Sequence, residues 1–167
     1  MLSRSLKTSF FVTILVLLAG CTVVSIGALD SRVDADISSV GVIDTDGRAG
    51  QLYNRELRRA LYVNGEASPA YNLTSTISVS SSSTLSVRGV RSTFKKMTMT
   101  AVFTLKNQDD GEVLLSDQVT ADATLGTVSS LFGQDQSEAH ARDRMTKLLA
   151  HRVVQQLQLY FLKKLDA

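Results

Sequence analysis

The segment from Phe94 to Lys106 has the most restrictive pattern in this chain of 167 residues. Apolar and polar side chains alternate along it, and the apolar set is Met97, Met99, Ala101, Phe103 and Leu105. A period of two predicts a β-strand with one buried face. Such a strand is stable only within a sheet whose apolar face is covered by another layer, so the rest of the chain must supply both.

Three further segments predict strands that complete a sheet. Residues 71–79 alternate in the same way and are rich in β-branched side chains, after which residues 80–83 predict a flexible or turn-like serine run. Residues 107–111 have the composition of a hairpin loop, and a third strand of the set is predicted from Glu112 to Ala123. Residues 40–43 predict a short first strand.

Two segments have the helical period needed to cover such a sheet. The apolar positions are Ala49, Tyr53, Leu57, Ala60 and Leu61 between Arg48 and Val63, and Ala141, Met145, Leu148, Leu149, Val153, Leu157, Tyr160 and Phe161 between Glu138 and Lys164. Residues 126–136 predict a loop in which Phe132 turns inward. The order β-α-β-β-β-α predicts an α+β fold: two helices packed on one face of a small, mainly antiparallel four-stranded sheet.

The amino terminus has the features of a lipoprotein signal peptide. Arg4 and Lys7 precede an apolar run from Phe10 to Leu17, and Leu18-Ala19-Gly20-Cys21 follows. The run is shorter than the about 20 residues that span a bilayer, and small residues before a cut are typical of signal peptides. Cys21 is the only cysteine, so it has no partner for an internal disulfide, and we predict that it is lipidated.

These features predict three regions of the chain. Residues 1–20 are a signal peptide that is removed, residues 21–38 are the lipidated cysteine and a tether, and residues 39–167 are a single α+β periplasmic domain. A lipidated cysteine of this kind carries a diacylglyceryl group and an N-acyl chain, and more than one acyl chain is sufficient for stable membrane anchoring.

No arrangement of residues predicts catalysis. The chain has no Gly-x-Ser-x-Gly elbow, no phosphate-binding glycine loop and no Cys-His metal spacing. His140 and His151 are separated by about 16 Å along a helix, which is too far to share a metal ion. We therefore predict no enzymatic activity, no cofactor and no metal site.

Positive charge is concentrated in one part of the chain. No acidic residue lies between Glu66 and Asp109, and that stretch contains Arg88, Arg91, Lys95, Lys96 and Lys106. One interpretation is a solvated strand edge whose lysines discourage aggregation. The other is a phosphate-binding site near the hairpin tip, formed by Arg88, Arg91 and Lys95 with Lys96 on the opposite strand face. Nucleic acid is not an expected ligand for a periplasmic lipoprotein, whereas the phosphates of lipopolysaccharide are.

Taken together, these segments resemble the lipopolysaccharide-assembly lipoprotein family LptE. The resemblance rests on the Leu18–Cys21 motif, the helix that starts Arg-Ala-Gly-Gln-Leu-Tyr at Arg48, Tyr71-Asn72-Leu73 at the start of a strand, the strand from Phe94 to Leu105, and Ala139 and Ala141 in the last helix. It covers nearly the whole chain after the signal peptide.

The resemblance implies a function and a location. Members of the family plug the outer-membrane β-barrel LptD and assist lipopolysaccharide assembly and transport to the outer leaflet. Thr22, in place of an Asp after the cysteine, favours the outer membrane, with the domain on its periplasmic side. By region, the resemblance also implies that Arg88, Arg91, Lys95 and Lys96 contact lipopolysaccharide.

Two other functions fit the same sequence. An auxiliary lipoprotein of a phospholipid-transporting ABC system would have the same anchor and a similar small α/β domain. A periplasmic enzyme with an unrecognised site is the second alternative. Association with a large β-barrel distinguishes the first interpretation from both.

Overall fold

A computed structural model describes residues 26–63, 65–84, 94–126 and 130–165. The chain divides into two compact units, Met1–Ser31 and Arg32–Ala167. The first is described only where helix α1 (Ile26–Ser38) begins. The second contains the sheet and the remaining helices. None of the described helices combines the length and apolar composition required to cross a membrane.

The second unit is an α+β fold, which confirms the prediction. After α1 come β1 (Val40–Val42), α2 (Gly47–Leu61), β2 (Tyr71–Thr84), β3 (Phe94–Asn107), β4 (Val113–Gly126) and α3 (Leu131–Leu165). The sheet has the order β1-β2-β3-β4. β1 runs parallel to β2, whereas β2, β3 and β4 form an antiparallel meander.

The apolar row of β3 lies at the centre of the core. Met97, Met99, Ala101, Phe103 and Leu105 are each at most 1% exposed, as the alternation predicts. α3 covers this row and the neighbouring face of β4, and α2 packs beside α3 over β1 and β2. The buried stripe of α3 consists of Ala141, Met145, Thr146, Leu149, Ala150, Val153, Val154, Leu157 and Phe161. The apolar stripes of α2 and α3 and the apolar face of the sheet therefore cover one another and exclude water. This burial of apolar surface is the main force that stabilises the fold.

α1 was not predicted. Residues 21–38 were expected to be a tether, but the chain is helical from Ile26, and Val33 and Ile37 are buried in the core. These two residues are four apart and therefore share one face of the helix. A stripe of only two large side chains among Asp30, Asp34 and Asp36 is too weak a periodic signal to recognise in the sequence.

Two loop predictions were also wrong. β2 continues through the serine run to Thr84, because pairing of Ser80 with Thr98 and of Ser81 with Met97 satisfies the backbone despite the low strand preference of serine. α3 starts at Leu131, seven residues before the predicted Glu138, and Ser130 Oγ accepts the Gly133 N–H at 3.3 Å. Phe132 in the first turn is 74% exposed and does not turn inward.

The amino-terminal part of α2 lies unusually close to the loop that follows β1. A Cβ on Gly50 would lie 2.3 Å from the carbonyl oxygen of Thr45, well inside van der Waals contact. Three residues further along α2, the Tyr53 hydroxyl lies 3.1 Å from Ser75 Oγ on β2. The absence of a side chain at Gly50 therefore allows α2 to dock against the sheet.

We predict that Gly50→Ala lowers the free energy of unfolding by about 1–3 kcal/mol, the usual cost of overpacking. In an exposed helix the same change would be stabilising, because alanine has the higher helix propensity. Urea unfolding followed by circular dichroism measures the difference. Gly126→Ala is the control, since no atom lies within 4 Å of a Cβ at that position. Equal stability of the two variants would contradict the close contact.

Candidate functional site

The predicted site residues fall into two groups. Cys21, Arg88 and Arg91 lie outside the described residues. Lys95 and Lys96 are at the start of β3, where neighbouring residues point to opposite faces of the sheet. Lys95 faces the helices and Lys96 faces away from them, as the alternation predicts.

Lys95 forms an ion pair with the long helix. Its Nζ lies 2.8 Å from Glu138 Oε1, and the two side chains are 33% and 15% exposed. Gln134 Nε2 donates to the same oxygen at 3.1 Å, and Arg142 Nη2 lies 3.5 Å from the other. The Lys95 and Gln134 hydrogen bonds hold the pKa of the Glu138 carboxyl below its ordinary value. The charge of Lys95 is therefore largely neutralised within the fold.

Lys96 has an acidic partner on the open sheet face. Its Nζ lies 3.4 Å from Asp122 Oδ2 on β4, and both side chains are about half exposed. Thr98 Oγ1 donates to Asp122 Oδ1 at 2.6 Å, and this hydrogen bond is the main reason that the pKa of Asp122 is lowered. Water screens an exposed pair of this kind, so Lys96 can exchange its partner for an external anion more easily than Lys95.

Glu138 and Asp122 were not recognised as partners in the sequence. They are separated from their lysines by 43 and 26 positions, and only the docking of α3 and the β3–β4 register bring them together. No local pattern signals pairs at that separation. The acid-free composition from Glu66 to Asp109 therefore overstated the free positive charge in the described part of this region.

Exposed apolar side chains lie at the same end of the sheet. Phe94, which β3 pairs with Gly126 of β4, is 47% exposed. Leu131 and Phe132, in the first turn of α3, are 79% and 74% exposed. This end of the molecule thus presents exposed apolar groups at the same end of the sheet as the half-exposed Lys96, a combination suited to an amphipathic anion.

A cavity of about 330 Å³ lies at the amino-terminal end of α2. It is lined by Asp44, Thr45, Asp46, Gly47, Gln51, Asn54 and Arg58. Arg58 Nη2 lies 2.7 Å from Asp44 Oδ1, to which Asn54 Nδ2 also donates at 3.2 Å. These contacts tie the loop after β1 to α2, and we assign them a structural role. No cluster of three or more potential metal ligands occurs among the described residues.

We predict that Lys95→Met destabilises the fold by on the order of 1 kcal/mol near neutral pH, because it leaves the ionised Glu138 without its main partner. A carboxyl whose folded pKa is lowered stabilises the fold above its unfolded pKa and loses that effect as the pH falls through the folded pKa. The difference from the parent chain should therefore shrink at acidic pH.

Unfolding in urea at several pH values measures this difference. Lys96→Met is the matched control and should have a smaller effect, because Asp122 is more exposed and keeps its bond to Thr98. A Lys95→Met effect that does not change with pH would contradict the ion pair.

Comparisons with known proteins agree with the fold. Three solved structures are similar over most of their length. A candidate lipoprotein of Caulobacter crescentus has 18% sequence identity and a TM-score of 0.61, and the match covers 78% of this chain and 96% of that one. For a minor lipoprotein of Acinetobacter baumannii the identity is 13%, the TM-score 0.55 and the coverages 74% and 94%, and for the rare lipoprotein B of Shewanella oneidensis they are 14%, 0.54, and 71% and 91%. At these identities the likeness shows the fold alone. A comparison with curated protein sequences found no match.

The family assignment rests on a separate comparison. The family model described as "LptE: Lipopolysaccharide-assembly" matches residues 35–157, which include all four strands and all of α2. A match of that extent covers most of the chain and confirms the resemblance seen in the sequence. The chain belongs to the LptE family of lipopolysaccharide-assembly proteins.

Proposed function

We propose that this protein is an outer-membrane lipoprotein that plugs the LptD β-barrel and assists the transport of lipopolysaccharide to the outer leaflet. The observation that carries the proposal is the LptE match over residues 35–157, which runs from α1 into the last helix. In this proposal the chain binds and positions other molecules and does not catalyse a reaction. Lipidation of Cys21 holds it at the periplasmic side of the outer membrane.

The open face of the sheet supports the role of a plug. The side chains that point away from the helices are mostly hydroxyls and amides: Asn72, Thr74, Thr76, Ser78, Ser80 and Ser82 on β2, Thr98, Thr100 and Thr104 on β3, and Ser116, Gln118, Thr120 and Thr124 on β4. The lumen of an outer-membrane barrel is lined by polar side chains and water. Lys96, Lys106 and Asp122 also lie on this face, and Lys96 and Asp122 pair with each other. A polar face with many hydrogen-bonding groups is compatible with such a wall, whereas an apolar face would not be.

The end of the sheet supports a contact with lipopolysaccharide, whose lipid part joins phosphates to acyl chains. Lys96 is more accessible than Lys95, and the exposed Leu131 and Phe132 lie at the same end. We propose that Arg88, Arg91 and Lys96 contact the phosphates. Lys95 contributes chiefly by fixing the start of β3 to α3 through Glu138.

We predict that the full-length chain is co-isolated with LptD from outer membranes in detergent. Inside a barrel its loops are hidden, so co-expression with LptD should also make the chain resistant to added protease. Expression of the chain with an unrelated outer-membrane barrel is the control. Recovery with an ABC transporter instead of a barrel, or no association with LptD in extracts that contain both proteins, would contradict the proposal.

We further predict that Arg88→Glu combined with Arg91→Glu weakens lipopolysaccharide binding by about tenfold or more, because each charge-assisted phosphate contact contributes roughly 1.5–3 kcal/mol when partly shielded. Lys96→Glu should have a smaller effect in the same direction. Lys106→Glu is the matched control for Lys96→Glu, since it makes the same charge change at the opposite end of β3.

Binding of the purified full-length chain to lipopolysaccharide at two salt concentrations measures these effects, with circular dichroism as the test of folding. Equal affinity of the folded double variant and the Lys106→Glu variant would contradict phosphate binding by Arg88 and Arg91. It would support the other interpretation, in which these residues belong to a charged strand edge.

A further inference from the structure

The outer surface of the helix layer has a surplus of positive charge. α2 contains four arginines and one acidic residue, and α3 contains six basic and three acidic residues. Because the stripes that meet the sheet are apolar, most of these charged side chains point away from it. This surface is therefore a second basic region of the molecule, separate from the lysines at the start of β3.

A groove of about 670 Å³ lies between α2 and α3. Its walls are Glu56, Arg59, Ala60 and Val63 on one side and Lys147, His151, Val154, Gln155 and Gln158 on the other. Most neighbours within a wall lie three or four positions apart, so each wall is one stripe of its helix. The 11 positions from Lys147 to Gln158 span about 16 Å along α3, which is long enough to contact more than one phosphate group.

Two cations of the groove have no acidic partner within the fold. Among the described residues, no carboxylate lies within 4 Å of Arg59 or Lys147, and both side chains are exposed. The acid that lines the groove is Glu56, whose Oε1 lies 3.6 Å from Arg55 Nη2 and whose side chain is 12% exposed. Arg55 offsets the charge of Glu56, so Arg59 and Lys147 can bind an external anion without breaking an ion pair.

The side chains of the groove favour a phosphate that is carried by a lipid. Guanidinium and ammonium groups both bind phosphate oxygens, and the ring N–H of His151 can donate as well. Ala60 and Val63 lie near Arg59, and Val63 is 77% exposed. An inorganic anion leaves these apolar groups in water, whereas a phospholipid can cover them with its glycerol and acyl parts.

We propose that the helix layer docks on an anionic lipid surface, with phosphate headgroups bound by Arg59 and Lys147 in the groove between α2 and α3. The compact unit begins at Arg32, 11 positions after Cys21 (32 − 21), so the chain keeps it within about 40 Å of a lipid on that cysteine. A lipid chain combined with a basic patch attaches a protein firmly to a membrane, because the two signals reinforce each other.

Docking goes beyond the proposed function, because it describes the chain before it enters its barrel. It rests on the proposed lipidation of Cys21 for attachment to the membrane, whereas binding in the groove is independent of LptD. The open face of the sheet lies on the other side of the molecule, so it stays free for a protein partner while the helices contact lipid.

A fluorescent probe in the groove tests the docking, because the chain contains no tryptophan. The full-length Val63→Trp variant is reconstituted into vesicles of phosphatidylcholine, alone or mixed with phosphatidylglycerol, that contain a lipid with a nitroxide on its headgroup as the quencher. Quenching should be about twofold or more stronger in the anionic vesicles, and high salt should remove the difference. Val102→Trp, at a 47% exposed position on the open sheet face, is the control and should be quenched weakly in both.

Removal of the groove cations should abolish the effect of the anionic lipid. In the Val63→Trp chain, Lys147→Gln should weaken quenching in anionic vesicles, and the addition of Arg59→Gln should reduce it to the level of neutral vesicles. Lys106→Gln is the matched control for Lys147→Gln, since it removes the same charge from an exposed position on β3 and should leave quenching unchanged. Circular dichroism verifies the folding of each variant.

Equal quenching of Val63→Trp in neutral and anionic vesicles would overturn the proposal. Equal effects of Lys147→Gln and Lys106→Gln would also overturn it, because they would indicate a response to total charge and not to the groove. Stronger quenching of Val102→Trp than of Val63→Trp would place the sheet, and not the helices, against the lipid. A groove tryptophan that responds only when LptD is added would assign the groove to that protein.

Flotation of the vesicles reports attachment separately from quenching. A chain that floats with both kinds of vesicle supports the lipid anchor, and the quenching then decides the docking. A chain that floats only with anionic vesicles would contradict the anchor but support the docking. A chain that floats with neither would overturn both.

Discussion

The burial of the β3 apolar row beneath α3 is the interaction on which the other features of this molecule depend. Met99, Phe103 and Leu105 are fully buried, and so are Leu149, Val153 and Leu157 on the helix that covers them. Apolar area removed from water stabilises a fold by about 25 cal/mol per Å². Because this contact fixes α3 along the sheet, it also determines which polar groups meet at the ends of the two elements.

The pairing of Lys95 with Glu138 is the clearest example. Neither side chain belongs to the apolar core, yet their 2.8 Å contact exists because α3 lies in one register on the sheet. The same docking leaves Lys96 on the other face, with Asp122 as a half-exposed partner. Two adjacent lysines thus have different surroundings: Lys95 joins two layers of the fold, and Lys96 is half exposed to solvent.

The parts of the fold that the sequence predicts are those in which a periodic pattern extends over many residues. β3, α2 and most of α3 were predicted because Met97 to Leu105, Tyr53 to Leu61 and Ala141 to Phe161 repeat at the period of their element. α1 was missed because Val33 and Ile37 alone make a weak pattern, and the end of β2 was missed because pairing with β3 overrides the composition of the serine run. The positions of Lys95 and Lys96 on opposite faces followed from alternation, but their acidic partners depend on tertiary packing and have no local signal.

The parallel pairing of β1 with β2 has a consequence for the order in which the chain folds. β2, β3 and β4 are consecutive, so their contacts close short loops, and α3 follows directly in the sequence. β1 joins the sheet only after a crossover through α2, and contacts that close longer loops form more slowly. The meander with α3 is therefore expected to form the folding nucleus, with α1, β1 and α2 added afterwards. The amino-terminal part of the domain, which is closest in sequence to the proposed lipidated Cys21, would then be the last to become ordered and the first to open.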